Sequence, residues 1–117
     1  MKMLLIASHA PYDGTDVTWN ALRLAGVLAA GGDDVRLFVM NDAIDIVRES
    51  VTAPGGSFDL LQMTKDLIAE GVTVRACGTC LERSGTRPGD PAIGGVHVSD
   101  LNDLSTWIRE SDRVITF

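Results

Sequence analysis

Met3-Leu4-Leu5-Ile6-Ala7 is an unbroken apolar run of strand length. A strand with one wet face alternates apolar and polar residues, whereas a strand of a parallel sheet is covered on both faces and reads as a continuous run. Polar residues and a turn follow, from His9 to Asp16 with Pro11 and Gly14. Helical spacing then holds from about Thr15 to Ala30. Trp19, Leu22, Gly26 and Ala29 form one stripe and Ala21, Leu24, Ala25 and Leu28 another, which predicts a helix packed on more than one side. Gly31-Gly32 stops it.

The same alternation continues along the chain. Val35–Met40 reads as a second strand, and Asn41-Asp42 closes it. Asp42 either caps a short helix running through Arg48 or lines a pocket, and the cap is the preferred reading. Pro54-Gly55-Gly56 marks a loop. Ser57 is expected to cap a helix over Phe58–Glu70, which Gly71 ends. Val72–Ala76 is a third strand, Cys77–Arg83 a helical turn ended by Gly85, and Thr86–Gly95 a loop with two prolines. Val96–Val98 is a short strand. Asp100–Ser111 is a helix with Leu101, Leu104, Trp107 and Ile108 facing inward, and Arg113–Phe117 is the last strand. Strands that alternate with helices give an α/β fold, a parallel sheet with helices on both faces. Ligands of such sheets sit at the carboxyl ends of the strands.

The chain has 117 residues, 45% hydrophobic and 22% charged, which suits one globular domain over residues 1–117. A net charge of −6 argues against phosphate-backbone binding, so no nucleic-acid partner is expected. No apolar run approaches a membrane span, and the first run is too short for a signal peptide, so the expected location is cytoplasmic. Two cysteines three positions apart are not a secreted disulfide framework.

Cys77-Gly78-Thr79-Cys80 carries the chemistry. It falls where a parallel strand meets a helix, so free N–H groups of the helix N-terminus are expected at the Cys77 sulfur, favouring its thiolate. Gly78 permits close backbone approach, and Thr79 adds a hydroxyl. The competing reading is that both cysteines are simply buried, as free cysteine often is; it is preferred for Cys80 and not for Cys77. Cys80 lies about one turn on, so it remains a second thiol within reach. His9 stands at the carboxyl edge as a proton carrier or a polar liner, and His97 reads as a core or interface histidine. Arg83 and Arg87 either attract an anionic sulfur species or stand solvated. Trp19 and Trp107 are expected in the core. Two cysteines and two scattered histidines make a poor metal set. With neither a P-loop nor a dinucleotide fingerprint present, no metal and no cofactor are expected.

Three stretches resemble the DsrE/DsrF-like family, which includes YchN-like proteins and TusD-type sulfur-relay subunits. They are Phe38-Val39-Met40-Asn41-Asp42-Ala43-Ile44, Ala76-Cys77-Gly78-Thr79-Cys80-Leu81-Glu82-Arg83-Ser84-Gly85 and Ser111-Asp112-Arg113-Val114-Ile115-Thr116-Phe117. The resemblance implies a three-layer α/β/α sandwich with a five-stranded parallel sheet, assembled as a homotrimer or homohexamer. It further implies sulfurtransferase-like persulfide transfer between donor and acceptor proteins, with Cys77 at the carrier position. In the relay subunits an apolar residue stands where this chain has Cys80; the form found here resembles the YchN-like branch. Beside the sulfur carrier stand two alternatives: a thiol–disulfide switch of Cys77 with Cys80, and a non-catalytic oligomeric module that binds a small ligand near His9, Asp42 and Cys77.

Overall fold

The computed structural model describes residues 1–84 and 92–117. Five strands form one parallel sheet: β1 (Lys2–Ala7), β2 (Asp34–Val39), β3 (Thr73–Cys77), β4 (Val96–Ser99) and β5 (Arg113–Thr116), in the spatial order β4-β3-β2-β1-β5. The helices are α1 (Val17–Ala30), α2 (Leu60–Ala69), the short α3 (Gly78–Arg83) and α4 (Leu101–Glu110), with a 3-10 segment at Asn41–Val47. Because β5 joins the sheet beside β1, on the far edge from β4, α4 crosses one whole face. The opposite face packs against the helices that precede β3.

Strand geometry sends successive side chains to opposite faces, so each strand feeds two cores. Met3, Leu5, Ala7, Val35, Leu37, Val39, Val74 and Ala76 face the larger core, against Leu22, Ala25, Leu60, Leu67 and the 3-10 residues Ile44, Ile46 and Val47. Leu4, Ile6, Phe38 and Cys77 face the smaller core, where Leu104 and Trp107 of α4 cover them. The three layers and the five parallel strands match the expected α/β/α sandwich. Gly26 of α1 faces Leu67 of α2, where an added Cβ would make an ordinary contact at 3.6 Å.

Several local expectations are corrected. The first long helix begins at Val17 rather than Thr15, because the backbone N–H and hydroxyl of Thr15 both bond Asp13 in the preceding turn. The cap of α2 is Asp59, which accepts from the Gln62 N–H, and not Ser57. The segment after β2 is 3-10, and Asp42 makes no capping bond. Trp19 lies half-buried at the rim of the larger core and packs against it, stacked on Phe58 at 4.9 Å with Arg23 over its ring at 4.4 Å. Within α4, Leu104 and Trp107 face inward, but Leu101 and Ile108 are 60% and 43% exposed. One helix laid across a wide sheet buries a single narrow stripe, and these two fall beyond its edges. His97 is exposed on the edge strand β4, not buried in a core.

Candidate functional site

The carboxyl end of β3 runs straight into α3, and Cys77 is both the last strand residue and the N-cap of that helix. Its side chain points into the smaller core and is 4% exposed. The sulfur takes no capping hydrogen bond from the helix N–H groups, which corrects the expected source of thiolate stabilisation. The donor near this site comes from elsewhere and meets the other cysteine: the Asn41 N–H points at Cys80 Sγ at 3.2 Å. Asn41 holds φ at +51°, a left-handed conformation that asparagine tolerates better than most residues. That turn aims its N–H across to α3.

Cys80 occupies the third position of α3. N-cap and third-position side chains lie beside one another at a helix start, the geometry that capping boxes use. Cys77 and Cys80 accordingly stand as neighbours at the start of α3, and Cys80 packs against the smaller core that holds Cys77. Both are free thiols; Cys77 is buried and Cys80 half-buried. Burial pushes the Cys80 thiol above its ordinary pKa, and the neighbouring Cys77 thiol adds to that rise. The Asn41 N–H and, more weakly, the Arg83 guanidinium oppose it. Gly78 brings the turn hard against β4: a Cβ there would meet Val98 Cγ1 at 3.0 Å and the Ser99 carbonyl oxygen at 3.3 Å. Thr79 is exposed.

The exposed Arg83 and Asp42 side chains pair across the rim at 3.3 Å, linking α3 to the 3-10 segment. An exposed pair of this kind contributes little to stability, roughly 0–1 kcal/mol. Asp42 therefore pairs with Arg83 instead of capping a helix. His9 is exposed; its carbonyl accepts from the Thr18 hydroxyl, and its charge acts on Asp13 rather than on a sulfur. Gly85, Arg87 and the loop 86–91 lie outside the described residues. Among the described residues no three His, Cys, Asp or Glu side chains gather as a metal set. No helix among them is long and apolar enough to cross a membrane. A cavity of about 420 Å³ opens beside the start of α1, lined by Tyr12, Trp19, Ser57 and Phe58 among others. None of His9, Asp42 or Cys77 lines it.

Asn41 and Trp107 are the two site residues that reading the sequence missed. Asn41 closed a strand in that reading, and its N–H reaches the sulfur only through the left-handed turn. Trp107 was assigned to the core; its seat over the Cys77 side of the sheet depends on which face α4 crosses.

The DsrE/DsrF-like family model matches residues 1–117. The chain belongs to the DsrE/DsrF-like family. Protein YchN of Escherichia coli K12 is 36% identical over 118 residues, covering 99% of this chain and 98% of that protein. Uncharacterized protein MJ0989 of Methanocaldococcus jannaschii is 30% identical over the full length of both. The crystal structure of the E. coli ychN protein superposes with a TM-score of 0.89, covering 99% of this chain and 98% of that one. Protein MTH1491 of Methanobacterium thermoautotrophicum, at 17% identity and a TM-score of 0.75, shares the fold. This DsrE/DsrF-like chain thus keeps its family's architecture while presenting two neighbouring thiols at the end of β3.

The geometry sets an order of reactivity between them. A small alkylating reagent is expected to label Cys80 well ahead of Cys77, by about tenfold or more, since buried groups react only through local opening. The raised Cys80 pKa leaves little thiolate near neutral pH, so its labelling rate climbs as the solution is made alkaline. Mass spectrometry of partly labelled protein checks both points. Preferential labelling of Cys77 would contradict the burial order.

Proposed function

We propose that this protein is a sulfur carrier that takes up sulfane sulfur as a persulfide on the Cys77–Cys80 pair. One observation carries the reading: two free thiols stand one helical turn apart at the carboxyl end of a parallel strand, and one of them is reachable from solvent. Family membership supports it, since DsrE/DsrF-like proteins include sulfur-relay subunits. Persulfide formation needs a nucleophilic sulfur and an incoming sulfane donor. The resemblance puts the carrier position at Cys77. The burial of that sulfur argues that a donor meets Cys80 first, so sulfur enters at Cys80 with Cys77 directly behind it. Arg83 stands near the entrance, where its charge favours an anionic sulfur species.

The test is uptake from inorganic polysulfide under anaerobic conditions, read by intact mass after rapid quenching. The wild-type chain is expected to gain one sulfur atom, and the Cys77→Ala/Cys80→Ala chain none. Equal gain by both would place the adduct on something other than these thiols and end the proposal.

The carrier is further proposed to work in the cytoplasm as a homotrimer or homohexamer. Exposed Leu101, Ile108 and Val114 flank the strip that α4 covers, and this apolar surface suits a second copy of the chain. Light scattering is expected to give a mass of several chains; the mass of a single chain would refute the assembly.

A further inference from the structure

We propose that a loaded chain left without an acceptor discharges its own sulfur as sulfide, with Cys77 acting as an internal resolving thiol. The inference rests on the carrier reading and adds an activity to it. Three features of the site carry it. Cys77 and Cys80 occupy the N-cap and third position of α3, so their side chains lie beside one another across one turn. Asn41 donates its N–H to Cys80 Sγ, the atom that becomes the inner sulfur of a Cys80 persulfide. Cys77 is sealed beneath Leu104 and Trp107 in the cluster against which Cys80 packs, while the exposed side of Cys80 leaves room for an outer sulfur to project away from it.

A persulfide offers a thiol two sulfurs to attack. Attack on the outer atom moves the sulfur along, as relay requires. Attack on the inner atom makes a disulfide and expels sulfide. Cys77 is seated beside the inner atom. The Cys77 sulfur therefore bonds to Cys80 Sγ, and the bond between Cys80 Sγ and the outer sulfur breaks. That outer sulfur departs with the electron pair of the broken bond and, together with the protons of the two thiols, leaves as hydrogen sulfide. The sulfane sulfur is reduced by two electrons, and two thiols become one disulfide. Resetting the site takes an external dithiol reductant. An acceptor that docks at the exposed outer sulfur competes with this step, so the lifetime of the persulfide sets how long the cargo waits.

The experiment loads wild-type, Cys77→Ala and Cys77→Ser chains briefly with inorganic polysulfide under anaerobic conditions. Excess donor is removed, and intact mass and free sulfide are followed with time. The wild-type chain is expected to lose its added sulfur, to release one sulfide per chain and to end as the intramolecular disulfide, at a rate independent of protein concentration. Both Cys77 variants should hold their sulfur on Cys80 at least about tenfold longer, since the resolving thiol acts at high effective concentration only when tethered. Equal retention in wild type and variants, with no disulfide formed, would overturn the discharge and leave the carrier standing. Failure of both variants to take up sulfur while the wild-type chain loads would put the sulfur on Cys77 and overturn the discharge alone; failure of the wild-type chain as well, with Cys80 still alkylating, would overturn the carrier reading and the discharge with it.

Discussion

Replacing Trp107 with alanine is expected to lower the unfolding free energy by about 3–5 kcal/mol. The indole is 4% exposed and meets Phe38 edge-on, with ring centres 6.3 Å apart and planes at 82°. Arg75 and Arg36 lie over the same ring at 4.3 and 5.3 Å, and Arg36 also pairs with Glu110 at 2.6 Å. The smaller core has few members, and with Leu104 this ring is most of what α4 contributes to it. Among the described residues no second helix covers this cluster to collapse into the space. A loss of this size is a large share of the roughly 5–15 kcal/mol that holds a domain folded. Denaturant titration measures it. The same change uncovers Cys77, so Cys77 labelling should rise toward the Cys80 rate. A loss below about 1 kcal/mol with unchanged labelling would mean that Trp107 does not seal this face.

The second large effect concerns sulfur entry. In the Cys80→Ser chain only Cys77 is left to accept sulfur, and it lies beneath the smaller core. Uptake from inorganic polysulfide is expected to slow by about tenfold or more, with little change in the denaturation midpoint, because Cys80 is half-exposed at the edge of both cores. Cys77→Ala should keep rapid uptake, although it removes a buried side chain and costs stability. The opposite pattern, fast uptake on Cys77 alone, would return the point of entry to the strand end.

What the sequence made legible followed from how strongly each pattern was constrained. The apolar runs of β1 and β2 specify strands covered on both faces, and their alternation with helices specifies a parallel sheet. The placement of Cys77-Gly78-Thr79-Cys80 at a strand end follows from that order. The relative depth of the two sulfurs was not legible. Cys77 was expected to be the more reachable, but strand alternation turns it into the core beneath α4 and leaves Cys80 half-exposed. The helix edges failed for local reasons: Ser57 and Asp59 are both good caps, and the chain uses the one next to Leu60, whose N–H is also taken by the Tyr12 hydroxyl. Apolar spacing in α4 marks Leu101 and Ile108 as inward, yet spacing alone does not say how wide a strip the sheet presents. Asn41 left no periodic signal at all, since its part rests on one left-handed backbone angle.

The most direct test of the carrier role locates the sulfur within the site. Trypsin cuts after Arg75 and Arg83, so both cysteines leave the chain on one peptide, residues 76–83. Wild-type protein is exposed briefly to limiting inorganic polysulfide without oxygen, alkylated at once, digested, and the peptide fragmented between Thr79 and Cys80. One extra sulfur is expected on the Cys80 fragment at the earliest times. A peptide with both cysteines alkylated and no added sulfur, under conditions that load free cysteine, would contradict it.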